Sequence, residues 1–92
     1  MPKFITRVEL HQATSEDYDT LHNEMAKRNF YRSIISDDGH HYQLPTAEYF
    51  ASGELSAAQV REIARAAAGV TGRSCWVLVC EFNSAAWYLR EA

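Results

Sequence analysis

Little in this sequence interrupts a chain: 92 residues hold two prolines, four glycines and no low-complexity tract. P-loop and dinucleotide-binding patterns need glycines at fixed spacings that are missing here, so nucleotide-cofactor chemistry drops out. A G-x-S-x-G nucleophile elbow is also absent. Cys75 and Cys80 are the only cysteines. Their odd spacing puts them on opposite faces of one predicted strand, where they cannot easily bridge each other. Neither has a second Cys or a His at zinc-ligand spacing, and both read as small buried hydrophobes in a reducing compartment. No apolar run approaches the roughly 18 residues of a membrane span. The opening MPKFITRVEL passes directly into strand alternation, unlike a signal peptide, so a cytoplasmic location without membrane contact is expected. Basic charge is scarce as well: nine Lys plus Arg against twelve Asp plus Glu give a net charge of −3. Any nucleic-acid contact therefore needs a local basic patch, and no DNA partner is expected.

What is present is ordinary for an ordered domain, with 47% hydrophobic and 23% charged residues. A chain of this length makes a single domain, residues 1–92, and buries only about 60–65% of the surface its unfolded chain exposes. Dimerisation would supplement so modest a core.

Over Lys3 to His11, Phe4, Thr6, Val8 and Leu10 alternate with Ile5, Arg7, Glu9 and His11, the period of a half-buried strand. Thr14 then opens a helix, with Asp17 closing an acidic capping box. Tyr18, Leu21 and Met25 form its apolar stripe, and Asn29 stands at its C-cap. Phe30 to Ser36 reads as strand two, Asp37-Asp38-Gly39 as a tight reversal, and strand three starts after Pro45, at about Thr46. Ser56 and Gln59 make a second capping box. The helix it opens carries a stripe of Ala57, Val60, Ile63, Ala64 and Ala67, with Gly69 in the place of a C′ glycine. Arg73 to Phe82 is apolar on both faces, so either the C-terminal NSAAWYLREA or another subunit should cover the second face.

The order β-α-β-β-α-β predicts an α+β protein of the ferredoxin-like split βαβ type, with a four-stranded antiparallel sheet carrying both helices on one face. The open face is the place for a partner or ligand, although the fold alone names no activity.

Candidate chemistry is sparse. Asp37, Asp38, His40 and His41 gather ligand-type side chains, but Asp-Asp-Gly is ordinary turn chemistry and adjacent His side chains on an extended chain diverge; neither a metal site nor a cofactor is expected. His22, beside the apolar stripe of the first helix, has an ordinary pKa suited to acid/base work. Arg7, Arg28 and Arg32 could converge on a phosphate.

The segment Leu21 to Leu89, with M-x-x-x-N-F-x-x-S-I-I-S-D-D-G at Met25 to Gly39, Q-L-P-x-x-E-Y at Gln43 to Tyr49, L-S-A-A-Q-V at Leu55 to Val60 and Trp87-Tyr88 near the end, resembles the GhoS antitoxin family of type V toxin–antitoxin systems. The resemblance implies a ferredoxin-like protein, related in fold to Cas2 ribonucleases, that cleaves the messenger RNA of a membrane-acting toxin. It also implies an arginine on the first helix tied to activity; His22 stands at that place, with Arg28 the nearest arginine, at the helix end. The metal-binding Asp that Cas2-type nucleases carry at the end of strand one is replaced by Leu10-His11-Gln12. A two-metal route is therefore unexpected. On this view the protein is a metal-independent endoribonuclease or RNA binder acting on single-stranded RNA, with His22 and Arg28 as catalytic candidates and Arg7 and Arg32 as RNA contacts. The alternatives are a non-catalytic homodimeric interaction module, with Trp76, Leu78 and Phe82 at its interface, and a small-ligand-binding domain with a pocket between sheet and tail.

Overall fold

A computed structural model describes residues 1–92. In chain order the elements are β1 (Lys3–Leu10), α1 (Ser15–Lys27), β2 (Ser33–Ile35), β3 (His41–Gln43), β4 (Glu48–Ser52), α2 (Ala57–Gly69) and β5 (Cys75–Phe82). β1 lies in the middle of an antiparallel sheet of order β4-β1-β5, while β2 and β3 form a separate two-stranded ladder. The architecture is thus α+β, with two helices and antiparallel sheets.

The alternation in β1 does what its period requires: Phe4, Thr6, Val8 and Leu10 are buried, while Arg7 between them is exposed. Across the sheet, Thr6 stands opposite Tyr49 and Val79. Tyr49 and Ala51 therefore share its face, and Cys75, Val77 and Val79 extend that face along β5, packed against the core. Both helices close over it: Leu21 and Met25 from α1 and Val60, Ala64, Ala67 and Ala68 from α2 complete the cluster. The small residues of α2 let its axis approach the strands, as its alanine stripe requires.

Both predicted capping boxes form. Thr14 Oγ1 accepts from Asp17 N at 3.2 Å and Ser56 Oγ from Gln59 N at 3.1 Å, with the return bonds from Asp17 and Gln59 also made. Two helix ends differ from expectation. Arg28 is the C-cap of α1 and Asn29 follows it with φ 64°, taking the left-handed C′ position for itself. Gly69 is helical, and the left-handed residue after α2 is Gly72.

The largest departure is the middle of the chain. Strand two over Phe30 to Ser36 shrinks to β2, and the expected fourth strand of the main sheet is reduced to a single bridge, Tyr31 against Phe50 on β4. The cause is a mismatch of arms. Ser33 pairs with Gln43 but Tyr31 with Phe50, so a two-residue step on one arm spans seven on the other. The surplus loops out through Pro45 and through Ala47, whose φ is 63°. The hairpin therefore leaves the sheet plane, and the C-terminal tail pairs with it. Gln43 N donates to Arg90 O at 2.9 Å and Ala92 N to His41 O at 2.9 Å, and the Trp87 ring lies 5.8 Å from Tyr42.

The tail covers only one end of the second sheet face. Phe82 is half-buried against Phe50, whereas Trp76 is 70% and Leu78 63% exposed. Cys80 is exposed there too, which corrects its reading as a buried hydrophobe; Cys75, on the helical face, is half-buried. No helix is long and apolar enough to cross a membrane.

Candidate functional site

The expected site residues divide between two faces of the sheet. Arg7 alternates with buried Thr6 and Val8 and so projects from the open face, between Glu48 and Leu78 on the flanking strands. His22 on α1 and Arg28 at its C-cap lie on the opposite face. Arg7 cannot join them around one phosphate.

Arg28 is also occupied. Its Nη1 donates to Glu24 Oε1 and to Glu24 O, both at 2.9 Å, while Lys27 Nζ meets Glu24 Oε2 at 2.8 Å. Hydrogen bonds from Lys27 first and Arg28 second hold the Glu24 carboxyl below its usual range. Glu24 and Arg28 are one helical turn apart, a spacing at which opposite charges meet. The pair is legible in the sequence and subtracts one cation from the patch expected there.

What remains together is His22 and Tyr49, with the charge of Arg32 close enough to act on both. The His22 Nδ1 lies 2.6 Å from the Tyr49 hydroxyl, which α1 and β4 bring together across 27 residues of chain. Tyr49 is fully buried, and burial pushes its phenol pKa up, so the hydroxyl keeps its proton at any ordinary pH. Burial also pulls His22 below the ordinary imidazole value, the nearby Arg32 guanidinium pulls in the same direction, and Asp19 opposes them. His22 is therefore neutral at pH 7. Arg32 itself is exposed and takes part in none of the molecule's ion pairs. The second tyrosine near His22, Tyr18, with ring centroids 6.4 Å apart, is committed to the end of β1, where it accepts from Leu10 N at 3.0 Å.

Two proton arrangements satisfy the His22–Tyr49 bond. With the phenol as donor, the imidazole proton sits on Nε2, which then offers a donor to a ligand. With Nδ1–H as donor, Nε2 is a free lone pair, the form a general base needs. Tyr49 is the partner of His22 that the sequence reading overlooked; its alternation with Ala51 on the buried face of β4 was the available signal.

The acidic turn behaves as a turn. The Asp38 carboxylate accepts from Ser36 Oγ and from His40 N, and His40 Nδ1 lies 2.9 Å from Glu91 of the tail. No group of three or more His, Cys, Asp or Glu side chains is placed to share a metal ion.

A cleft of about 600 Å³ opens between the sheet, the hairpin and the tail, lined by Lys3, Ile34, Phe50, Phe82 and Trp87 among others. Lys3 Nζ stands 5.2 Å from the centre of the Phe82 ring at its floor. This cleft sits on the open face, away from His22. Neither a family model nor a curated protein matches the chain.

Proposed function

We propose that the chain is a ferredoxin-like, GhoS-like antitoxin that binds single-stranded RNA, such as a toxin messenger, at the His22–Tyr49–Arg32 cluster, and that it works as a homodimer in the cytoplasm. The ferredoxin-like reading takes β4-β1-β5 with the Tyr31 bridge beyond β4 as a four-strand order whose last strand has frayed. The observation that carries the RNA reading is an exposed guanidinium free of carboxylate partners beside a neutral imidazole held by a buried phenol. Such a pair suits one phosphate and one 2′-hydroxyl. RNA binding is better supported than cleavage, because the arginine that would stabilise a pentavalent phosphorane, Arg28, is engaged by Glu24. If cleavage occurs, it is the metal-independent route, with His22 Nε2 taking the 2′-hydroxyl proton.

A binding titration with fluorescent single-stranded RNA tests this. Arg32→Ala should weaken binding several-fold and flatten its salt dependence, while Arg7→Ala on the opposite face should leave it near wild type. Equal loss in both variants, or no RNA binding by the wild type, would reject the cluster as the RNA site. Cleavage in EDTA that disappears in His22→Ala would establish the enzymatic form.

A second reading has its own observation. The 600 Å³ cleft between sheet and tail has the size and mixed lining of a small-ligand pocket. A ligand there would contact Lys3 and Trp87, and its binding would be insensitive to Arg32→Ala.

A further inference from the structure

β5 is an edge strand of eight residues without proline, lysine, arginine or a bulge, in unbroken register with β1 from Lys3↔Phe82 to Leu10↔Cys75. Edge strands of soluble proteins normally carry such a guard, because their outward N–H and C=O groups are a template for another strand. The outward groups follow from the ladder. Val8 N donates to Ala47 O on the β4 side and His11 N to Ser74 O on the β5 side. Even-numbered residues of β1 therefore bond to β4 and odd-numbered ones to β5. On β5 the even-numbered residues face β1, and the N–H and C=O groups of Cys75, Val77, Val79 and Glu81 point out of the sheet. None of these four takes part in a turn, cap or side-chain hydrogen bond.

We propose that this edge pairs with the β5 edge of a second copy, antiparallel and in a register centred on Leu78, to make one continuous six-stranded sheet. The inference rests on the homodimer reading above and specifies its geometry. With Leu78 on the two-fold axis, Val77 pairs with Val79 of the other copy and Cys75 with its Glu81, so every outward N–H and C=O of the four residues is satisfied. A register shifted by two residues leaves part of that row unmatched within the strand. The Leu78 side chains meet across the axis on the open face, and each Trp76 reaches Cys80 of the other copy. That arrangement brings the exposed apolar side chains of the two strands side by side and buries their flanks against each other.

Charge favours the same register. Arg61 and Arg65 of α2 flank a groove along this edge that Cys75, Trp76 and Val77 complete. Both guanidiniums share one carboxylate, Glu62, at 2.8 and 3.0 Å, which leaves the row with a net positive charge. Opposite Cys75 the second copy brings Glu81, the only charged residue of β5, on the helical face where that groove lies.

Amide hydrogen exchange on the wild-type protein across a dilution series, with mass measured by light scattering, tests the proposal without a variant. A dimer in which the Val77 and Val79 amides are protected, with protection lost on dilution to monomer, is expected. A dimer in which they exchange freely overturns edge pairing and leaves the homodimer reading standing; a monomer at every concentration overturns both. Mild oxidation of Leu78→Cys, in a background with both native cysteines changed to Ser, tests the register. It should yield a disulfide-linked dimer, because non-hydrogen-bonded pairs approach to about 4.5 Å between Cα atoms. Ile5→Cys should not crosslink, since β1 and its symmetry mate lie three strand spacings apart, about 14 Å. Crosslinking through Ile5 and not Leu78 would overturn the register in favour of face-to-face stacking.

Discussion

Thr6 is the one fully buried polar residue of the core, and its Oγ1 has no hydrogen-bond partner. Replacing an unpartnered buried hydroxyl by a methyl of the same shape removes a desolvation cost, so Thr6→Val should stabilise the protein by about 1 kcal/mol, read as a higher denaturation midpoint at unchanged slope. A fall in midpoint would mean that the hydroxyl is satisfied in solution, as by a trapped water. His22 makes a pH prediction of definite sign. Its folded pKa lies below the ordinary 6.5, so the unfolded chain binds more protons in the window between the two values. Stability from this group is complete above about pH 6.5 and declines as pH falls towards the folded pKa. His22→Gln should flatten that slope while leaving the separate loss at lower pH that comes from Asp17, Glu24, Asp38 and Glu62, whose carboxyls are all held below their usual range. An acid limb of any RNA cleavage would likewise begin below 6.5. The depression of His22 was not legible in the sequence, because it needs the buried face of β4 and Arg32 of the hairpin arm together.

At the scale of elements, the signals that worked are local. Thr14 and Ser56 with their third-position partners place both helix starts to the residue, since each box closes within one turn. Ser56→Ala should therefore lower stability by about 0.5–2 kcal/mol in a chemical denaturation experiment, with RNA affinity unchanged. An unaltered midpoint would mean that α2 does not depend on this cap. The period of two in β1 and the two-faced apolar run in β5 were equally legible. What failed was the hairpin arm, where pairing is decided by partners far along the chain: Phe50 for Tyr31, Arg90 for Gln43, Ala47 for Val8. An alanine at φ 63° has no sequence signature, and the tail's pairing with β3 cannot be seen in either segment alone. The candidate site suffered for the same reason. The spacing of Glu24 and Arg28 was there to be read, but that Arg7 lies across the sheet from α1 and that Arg32 alone is unpaired with its charge acting on His22 needed the fold.

For the molecule as a whole, the question is what a chain this small does with a large apolar strand at its margin. Trp76 and Leu78 stay exposed after the tail has docked, and covering a side chain of that kind contributes about 1.5–3 kcal/mol. Binding that exists only in the folded state shifts unfolding by mass action, so the thermal midpoint of a dimer rises with protein concentration. We expect the wild-type midpoint to climb across a hundred-fold concentration series. Leu78→Glu should weaken that dependence: in the monomer the side chain is in water already, whereas in the dimer two carboxylates would face each other across the axis, each only partly offset by Arg7 opposite it on its own β1. At high dilution the two proteins should melt together, because Leu78 belongs to no part of the buried core. A variant that melts lower than wild type at every dilution would place Leu78 in the stability of the single chain. A wild-type midpoint independent of concentration would remove the dimer, and the exposed strand would then need a different partner.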